Sequence, residues 1–154
     1  MIFRASRAAQ EDLGAKEVLH LSFPTNDFWL HRQQIWEQIR SLENRLNPDL
    51  IFTQTPDEHQ DHVILFQETI RNFYSKTILH YKPSIRNGLD HKWNWIERLD
   101  ESNLKAKLDS LRHYHQYQHK VYFDQQNITS QARVQAMNVG GGLAEGFTVY
   151  RVVK

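Results

Sequence analysis

The chain has 154 residues, 40% of them hydrophobic, enough for one domain with its own core. Nineteen Lys and Arg against 18 Asp and Glu leave a net charge of +1, which gives no case for nucleic acid or an anionic membrane as partner. Cysteine is absent, so a disulfide framework and a thiolate zinc site are excluded; this fits a reducing, cytoplasmic compartment. No apolar run approaches the ~20 residues of a membrane span. Nine histidines is a high count and directs attention to metal chemistry.

Apolar residues at Ile2, Phe3, Ala5, Ala9 and Leu13 predict a helix over 2–13, stopped by Gly14. Arg4 and Arg7 lie on it. Val18, Leu19 and Leu21 predict a short strand over 17–21, followed by a loop through Thr25, Asn26 and Asp27. Phe28, Ile35, Ile39, Leu42 and Leu46 recur at helical spacing, so a long helix is expected over 28–46, with Asn47-Pro48 ending it. Leu50-Ile51-Phe52 is apolar on consecutive residues, as expected of a central strand over 49–53 with both faces covered.

A helix over 61–74 and a second parallel strand over 76–81 follow, with Pro83 and Asn87-Gly88 as turn signals. Trp93 and Trp95 share one side of an extended segment and read as packing residues. A helix is predicted over 100–120 on Leu104, Leu108 and Leu111. His113, His115 and His119 lie on it without a carboxylate and read as solvated surface. A helix over 128–139, a turn at Gly140-Gly141-Gly142 and a closing strand over 143–153 complete the chain. The glycines follow a helix and precede a strand, the reverse of a phosphate-cradling loop, so a nucleotide-binding half is the weakest reading.

The stretch Pro-Asp-Glu-His-Gln-Asp-His at 56–62 carries the chemistry. It lies between a strand end and a helix start, where an α/β protein places its active groups. His59 and His62, three apart, can face one point from a turn, and neutral imidazole is a common zinc ligand. Helix capping accounts for Asp57, Glu58 and Asp61 but not for two histidines.

These residues carry a resemblance. Asp57, His59, Gln60, Asp61 and His62 after Asn47-Pro48-Asp49-Leu50-Ile51-Phe52-Thr53 resemble the second motif of the PIG-L/LmbE-like zinc-dependent N-deacetylases, which remove acetyl groups from amino sugars and their conjugates. Leu13-Gly14-Ala15, Val18-Leu19-His20-Leu21, Arg71-Asn72-Phe73 and Ala144-Glu145-Gly146-Phe147 resemble further family segments in the same order, so the likeness runs over essentially the whole chain. Lys105 or Lys107 resembles the family's helix lysine, whereas its Ser-Gln pair has no counterpart near Tyr114–Gln118.

The resemblance implies an α/β, three-layer Rossmann-like fold, a largely parallel sheet flanked by helices, over 1–154 as a single domain. It implies Zn2+ held by His62, with His59 stabilising the oxyanion and protonating the leaving amine, and Asp61 orienting an imidazole. Asp57 is then structural or an outer partner of the metal site. Asp27, Arg4 and Arg7 are weaker substrate candidates, with helix capping for Asp27 and a solvated helix face for the arginines as the plainer readings. The family's first motif, His-Pro-Asp-Asp, which supplies two metal ligands and the base, has no counterpart. The chain therefore reads as the C-terminal two-thirds of a deacetylase, missing the first strand-loop-helix unit, its site completed by a missing N-terminal segment or by a homo-oligomer. The alternative is a catalytically incomplete fragment or a non-enzymatic interaction module.

Overall fold

The computed structural model describes residues 2–82 and 92–154. The turn signals at Pro83 and Asn87-Gly88 lie outside the described residues. Five α-helices and four strands are described in the order α1 (Ile2–Asp12), α2 (Arg32–Leu46), β1 (Leu50–Gln54), α3 (Gln60–Asn72), β2 (Thr77–Tyr81), β3 (Trp95–Leu99), α4 (Glu101–Leu111), α5 (Gln125–Ala136) and β4 (Leu143–Arg151). The strands form one sheet of order β1-β2-β4-β3. The α/β expectation holds, and the sheet is mixed. β1 and β2 run parallel, Ile51 opposite Ile78 and Phe52 opposite Leu79; β2 and β4 run antiparallel, Leu79 opposite Val149. No described helix is long and apolar enough to cross a membrane.

The chain divides into two compact units, residues 1–21 with 96–146, and residues 22–95 with 147–154. In the first unit α1 ends as Gly14 predicts. Gly14 sits at φ +79°, its N–H bonds the Glu11 carbonyl and the Ala15 N–H bonds that of Gln10, both at 2.9 Å, which satisfies two terminal carbonyls. Asp100 starts α4 through a reciprocal capping box with Asn103, and Asp124 caps α5. Leu104, Ile128, Ala132 and Leu143 form the buried core, with Leu99, Leu108 and Leu111 against it. Lys105 pairs with Asp109 on its own helix, whereas Lys107 reaches Glu145 at 2.7 Å. Two segments of the family resemblance thus meet in one ion pair.

Three expectations in this unit are corrected. Residues 17–21 form no strand: they make no ladder, and Leu19 and Leu21 are half-exposed. Propensity suggests a strand, but paired backbone makes one. The helix expected over 100–120 stops at Leu111, where the Gln118 side chain donates back to the Leu111 carbonyl at 2.9 Å and Tyr114 and Tyr117 fold onto Phe123. His113, His115 and His119 therefore share no helix face. His113 Nε2 lies 2.7 Å from Asp12 Oδ2, and His115 and His119 are exposed, as a solvated surface requires. The helix expected over 128–139 is α5 followed by a 3-10 turn at Met137–Val139; the three following glycines all have positive φ, and the Arg98 guanidinium binds the Val139 and Gly141 carbonyls.

In the second unit Ile35, Ile39, Phe73 and Ile78 form the core between α2, α3 and β2, with Phe23, Phe28, Ile51, Ile64, Leu65 and Ile70 around it. The expected helix start at Phe28 is corrected to Arg32: residues 27–31 turn twice by short bonds, Leu30 N–H to Asp27 O at 2.9 Å and His31 N–H to Phe28 O at 3.1 Å. Asn47 closes α2 in the left-handed conformation. Glu68, fully buried on α3, binds Arg32 of α2 and Arg71 at 2.8 Å, while the Arg71 guanidinium lies 5.7 Å from the centre of the Trp36 ring. Arg71 thus anchors a carboxylate. β1 is not central: it ends the strand order, with Ile51 and Thr53 turned inward and Leu50 and Phe52 about half exposed. Trp93 is half-buried, and Trp95 is 47% exposed at the start of β3.

Candidate functional site

The site lies wholly in the second unit, on the loop from β1 to α3. β1 ends at Gln54, a buried side chain whose Nε2 donates to the His62 carbonyl at 3.2 Å and ties the strand to the first turn of α3. Thr55 extends the β2 edge, its N–H bonding the Tyr81 carbonyl at 2.7 Å and its Oγ1 lying 2.9 Å from His80 Nδ1. The chain then turns through Pro56 to His59, the N-cap of α3.

Asp57 shapes that turn. Its Oδ1 accepts the His59 N–H at 2.7 Å, and its Oδ2 lies 2.7 Å from His62 Nδ1. The Asp57 side chain is only 5% exposed, whereas that of His62 is 34% exposed. One carboxylate therefore fixes both the loop backbone and one imidazole. An ionised carboxylate only accepts, so neutral His62 carries its proton on Nδ1 and leaves Nε2 as a lone pair.

His59 is held in the opposite sense. Its Nδ1 accepts the backbone N–H of Asp61 at 3.2 Å, which is the cap bond of α3. A backbone N–H can only donate, so neutral His59 carries its proton on Nε2. The two rings are stacked, centroids 4.8 Å apart and 22° from parallel. A ring that presents a donor and a ring that presents an acceptor thus stand side by side at the start of a helix.

Asp61 does not hold an imidazole by its carboxylate. Oδ2 accepts the Asn26 N–H at 2.7 Å and Oδ1 the Phe28 N–H at 3.3 Å, and Oδ2 is 4.0 Å from His59 Nδ1, beyond hydrogen-bond reach. The Gln60 side chain donates to the Asn26 carbonyl. Asn26 sits at φ +71°, so this double tie holds a turn in a conformation few side chains adopt. The carboxylate expected to orient an imidazole anchors the neighbouring loop, and Asp57 makes the imidazole bond. The sequence signal for Asp57 is its spacing: an Asp reaches the N–H two residues on in an Asx turn.

The structure brings His59, Asp61 and His62 together. Asp27 is half-buried in the turn that Asp61 holds, with its N–H 3.3 Å from the Pro24 carbonyl. It does not cap α2, whose N-cap is His31, without a side-chain bond. Arg4 and Arg7 are exposed on α1 of the first unit. As a zinc site the residues fit in part. His62 Nε2 has the lone pair and the carboxylate-backed Nδ1 typical of a ligating imidazole. Among the described residues, however, no group of three or more His, Cys, Asp or Glu is placed to hold a metal ion, and a catalytic zinc takes three protein ligands.

No protein-family model and no curated protein sequence matches the chain. Solved structures do. The conserved protein TT1542 of Thermus thermophilus superposes with a TM-score of 0.76 at 14% identity, over 99% of this chain and 74% of that one. N,N'-diacetylchitobiose deacetylase of Pyrococcus horikoshii gives 0.73 at 17% identity, over 98% and 65%. The 4-carboxy-2-hydroxymuconate hydratase GalB of Pseudomonas putida KT2440 gives 0.69 at 13% identity, over 99% and 72%. The chain thus spans about two-thirds to three-quarters of the length of these structures. A deacetylase and a hydratase share the architecture, so the likeness establishes that this chain has the fold common to these structures, while function has to be argued from the site.

Proposed function

We propose that the chain is an LmbE-like deacetylase domain that takes part in hydrolysing the N-acetyl group of an amino sugar or its conjugate, with zinc at His62. The observation that carries the reading is the pair of oppositely fixed imidazoles on the fold of a chitobiose deacetylase. Zinc, when bound, lowers the pKa of a bound water so that hydroxide forms near neutral pH.

This chain's own residues do the following. Asp57 keeps the His62 Nε2 lone pair turned out as a ligand. The His59 Nε2–H donates to the acetyl carbonyl oxygen as negative charge develops there. The proton for the leaving amine is the one that the base takes from the attacking water, because Nδ1 of His59 is held as an acceptor by the Asp61 N–H and the ring has a single proton, on Nε2. Two further ligands and the base come from outside the described residues, from a preceding segment or from a second copy.

One observation favours a second reading, a non-enzymatic binding module: the lack of a three-ligand group among the described residues. Zinc titration by calorimetry, paired with amine release from N-acetylglucosamine, N,N'-diacetylchitobiose and a panel of their conjugates, separates the two. Stoichiometric zinc binding and zinc-dependent amine release, both abolished in His62→Ala, support the deacetylase. No zinc binding and no amine release, in protein that carries the preceding segment as well as in concentrated chain where a second copy can assemble, overturn it in favour of the module.

A further inference from the structure

The Asp57 carboxylate is nearly buried, at hydrogen-bond distance from the His62 ring, and two residues before the other imidazole of the α3 start. Free imidazole exchanges its proton between Nδ1 and Nε2, and the two forms expose opposite functions to the same partner. His59 has a backbone N–H to settle the matter. His62 has no such donor at Nδ1; it has Asp57 Oδ2 at 2.7 Å.

We propose that Asp57 is the positioning residue of this site: it sets the tautomer of His62, and thereby makes the His59–His62 pair one donor and one acceptor rather than two donors. This deepens the deacetylase reading, resting on it only for the identity of what the acceptor binds. Without Asp57, His62 is free to place its proton on Nε2. Both outward nitrogens would then donate, and neither could ligate a metal.

The variant that tests this is Asp57→Asn. The His59 N–H, 2.7 Å from Oδ1, requires an oxygen there, so the introduced amide nitrogen must take the place of Oδ2 and face His62 Nδ1. An amide nitrogen only donates. Nδ1 must then accept, and the proton moves to Nε2. The substitution keeps the loop's backbone bond and inverts the ring, whereas a merely structural role for Asp57 leaves the tautomer alone. The wrong-tautomer logic is that of a histidine whose carboxylate partner is replaced by its amide.

The readout is the pair of ring-nitrogen NMR shifts of histidine-labelled, metal-free full chain at about pH 8.5, some two units above the ordinary imidazole value. In the wild type, His62 should show a protonated Nδ1 and an unprotonated Nε2, and His59 the reverse. In Asp57→Asn, His62 should invert while His59 holds. Where the remaining ligands are supplied, zinc affinity should fall about 10–100-fold, the usual loss when an outer partner of a ligand is removed.

A wild-type His62 protonated on Nε2 overturns the proposal without any variant, so a misfolded Asp57→Asn cannot shelter it. An unchanged His62 in a folded Asp57→Asn overturns it equally. Failure of the deacetylase reading looks different: the tautomers come out as stated, but zinc does not bind and no amine is released even where the preceding segment or a second copy supplies the remaining ligands and the base.

Discussion

Replacing Asp61 with alanine should destabilise the second unit by about 2–4 kcal/mol. Two backbone N–H groups donate to this carboxylate, Asn26 at 2.7 Å and Phe28 at 3.3 Å, and its side chain is 6% exposed. A hydrogen bond to a charged group contributes about 1.5–3 kcal/mol, and the longer bond belongs at the bottom of that range. An acid in the first turn of a helix adds about 0.3–1 kcal/mol. Asn26 is exposed, so its N–H regains water after the truncation and the cost does not reach the full total. Urea unfolding followed by far-UV circular dichroism measures it. With a slope of about 2 kcal/mol per molar, the middle of the usual range, the midpoint should fall by roughly 1–2 M at unchanged slope. Asp61→Asn, which keeps an oxygen for one N–H and sets an NH2 against the other, should fall between wild type and Asp61→Ala. A midpoint for Asp61→Ala within about 0.3 M of wild type, less than 1 kcal/mol at such slopes, would refute the assignment of this carboxylate as the tie between α3 and the 24–28 turn.

The Arg32–Glu68–Arg71 cluster gives an ordering. Glu68 is fully buried, while the arginine side chains are 44% and 56% exposed. Removing both arginines strands a buried carboxylate and should cost about 3–5 kcal/mol; Glu68→Ala should cost less, since the freed guanidiniums reach water. Equal losses by urea unfolding would contradict the stated burial. At α4, hydrogen bonds from the Ser102 hydroxyl and the Asn103 N–H hold the Asp100 carboxyl below the usual carboxylate range. A depressed folded value means that the cap's contribution is complete above the unfolded carboxyl value of about 3.9 and is lost as pH falls through the folded one. Amide exchange of residues 101–104 should therefore quicken in acid relative to the middle of α4. Asp100→Asn, which caps without titrating, should lose that acid dependence, and retention of it would point to another group.

Much of the second unit is written in local signals. Leu50-Ile51-Phe52, the polar loop and the helical spacing of Phe66, Ile70 and Phe73 place β1, α3 and β2 within a residue or two, because each element's own pattern suffices. The failures turn on packing partners, near or distant in the sequence, that an element's own pattern does not name. Val18, Leu19 and Leu21 have strand propensity but make no ladder. Leu50 and Phe52 look fully buried in the sequence, yet they lie on a terminal strand of the sheet and stay about half exposed. The helix predicted to Lys120 ends at Leu111 because aromatic packing and the Gln118 side chain replace its continuation. In the site, the two histidines stand out by type and spacing, but the roles of Asp57 and Asp61 cannot be told apart by adjacency. Asp61 follows one histidine by two residues and directly precedes the other, yet its carboxylate serves Asn26 and Phe28, residues more than 30 positions away.

Capping and chemistry compete as explanations of this loop in the sequence, and the structure joins them. N-caps are commonly Asn, Asp, Ser or Thr, and three acids stand within reach of the start of α3. The residue that caps it is His59, through Nδ1. A serine or aspartate there would satisfy the same N–H and present no outward ring nitrogen. A histidine there is forced by the cap bond into the tautomer with Nε2–H outward, so the helix start itself fixes the donor. His62, at the third helical position, stacks on the fixed ring and takes its tautomer from Asp57 instead. The spacing of three that singles out the motif in the sequence is therefore the spacing between a helix N-cap and the first position whose ring can stand beside it. That geometry makes the pair unequal, and an unequal pair can hold a ligand with one ring while it donates to the developing charge with the other.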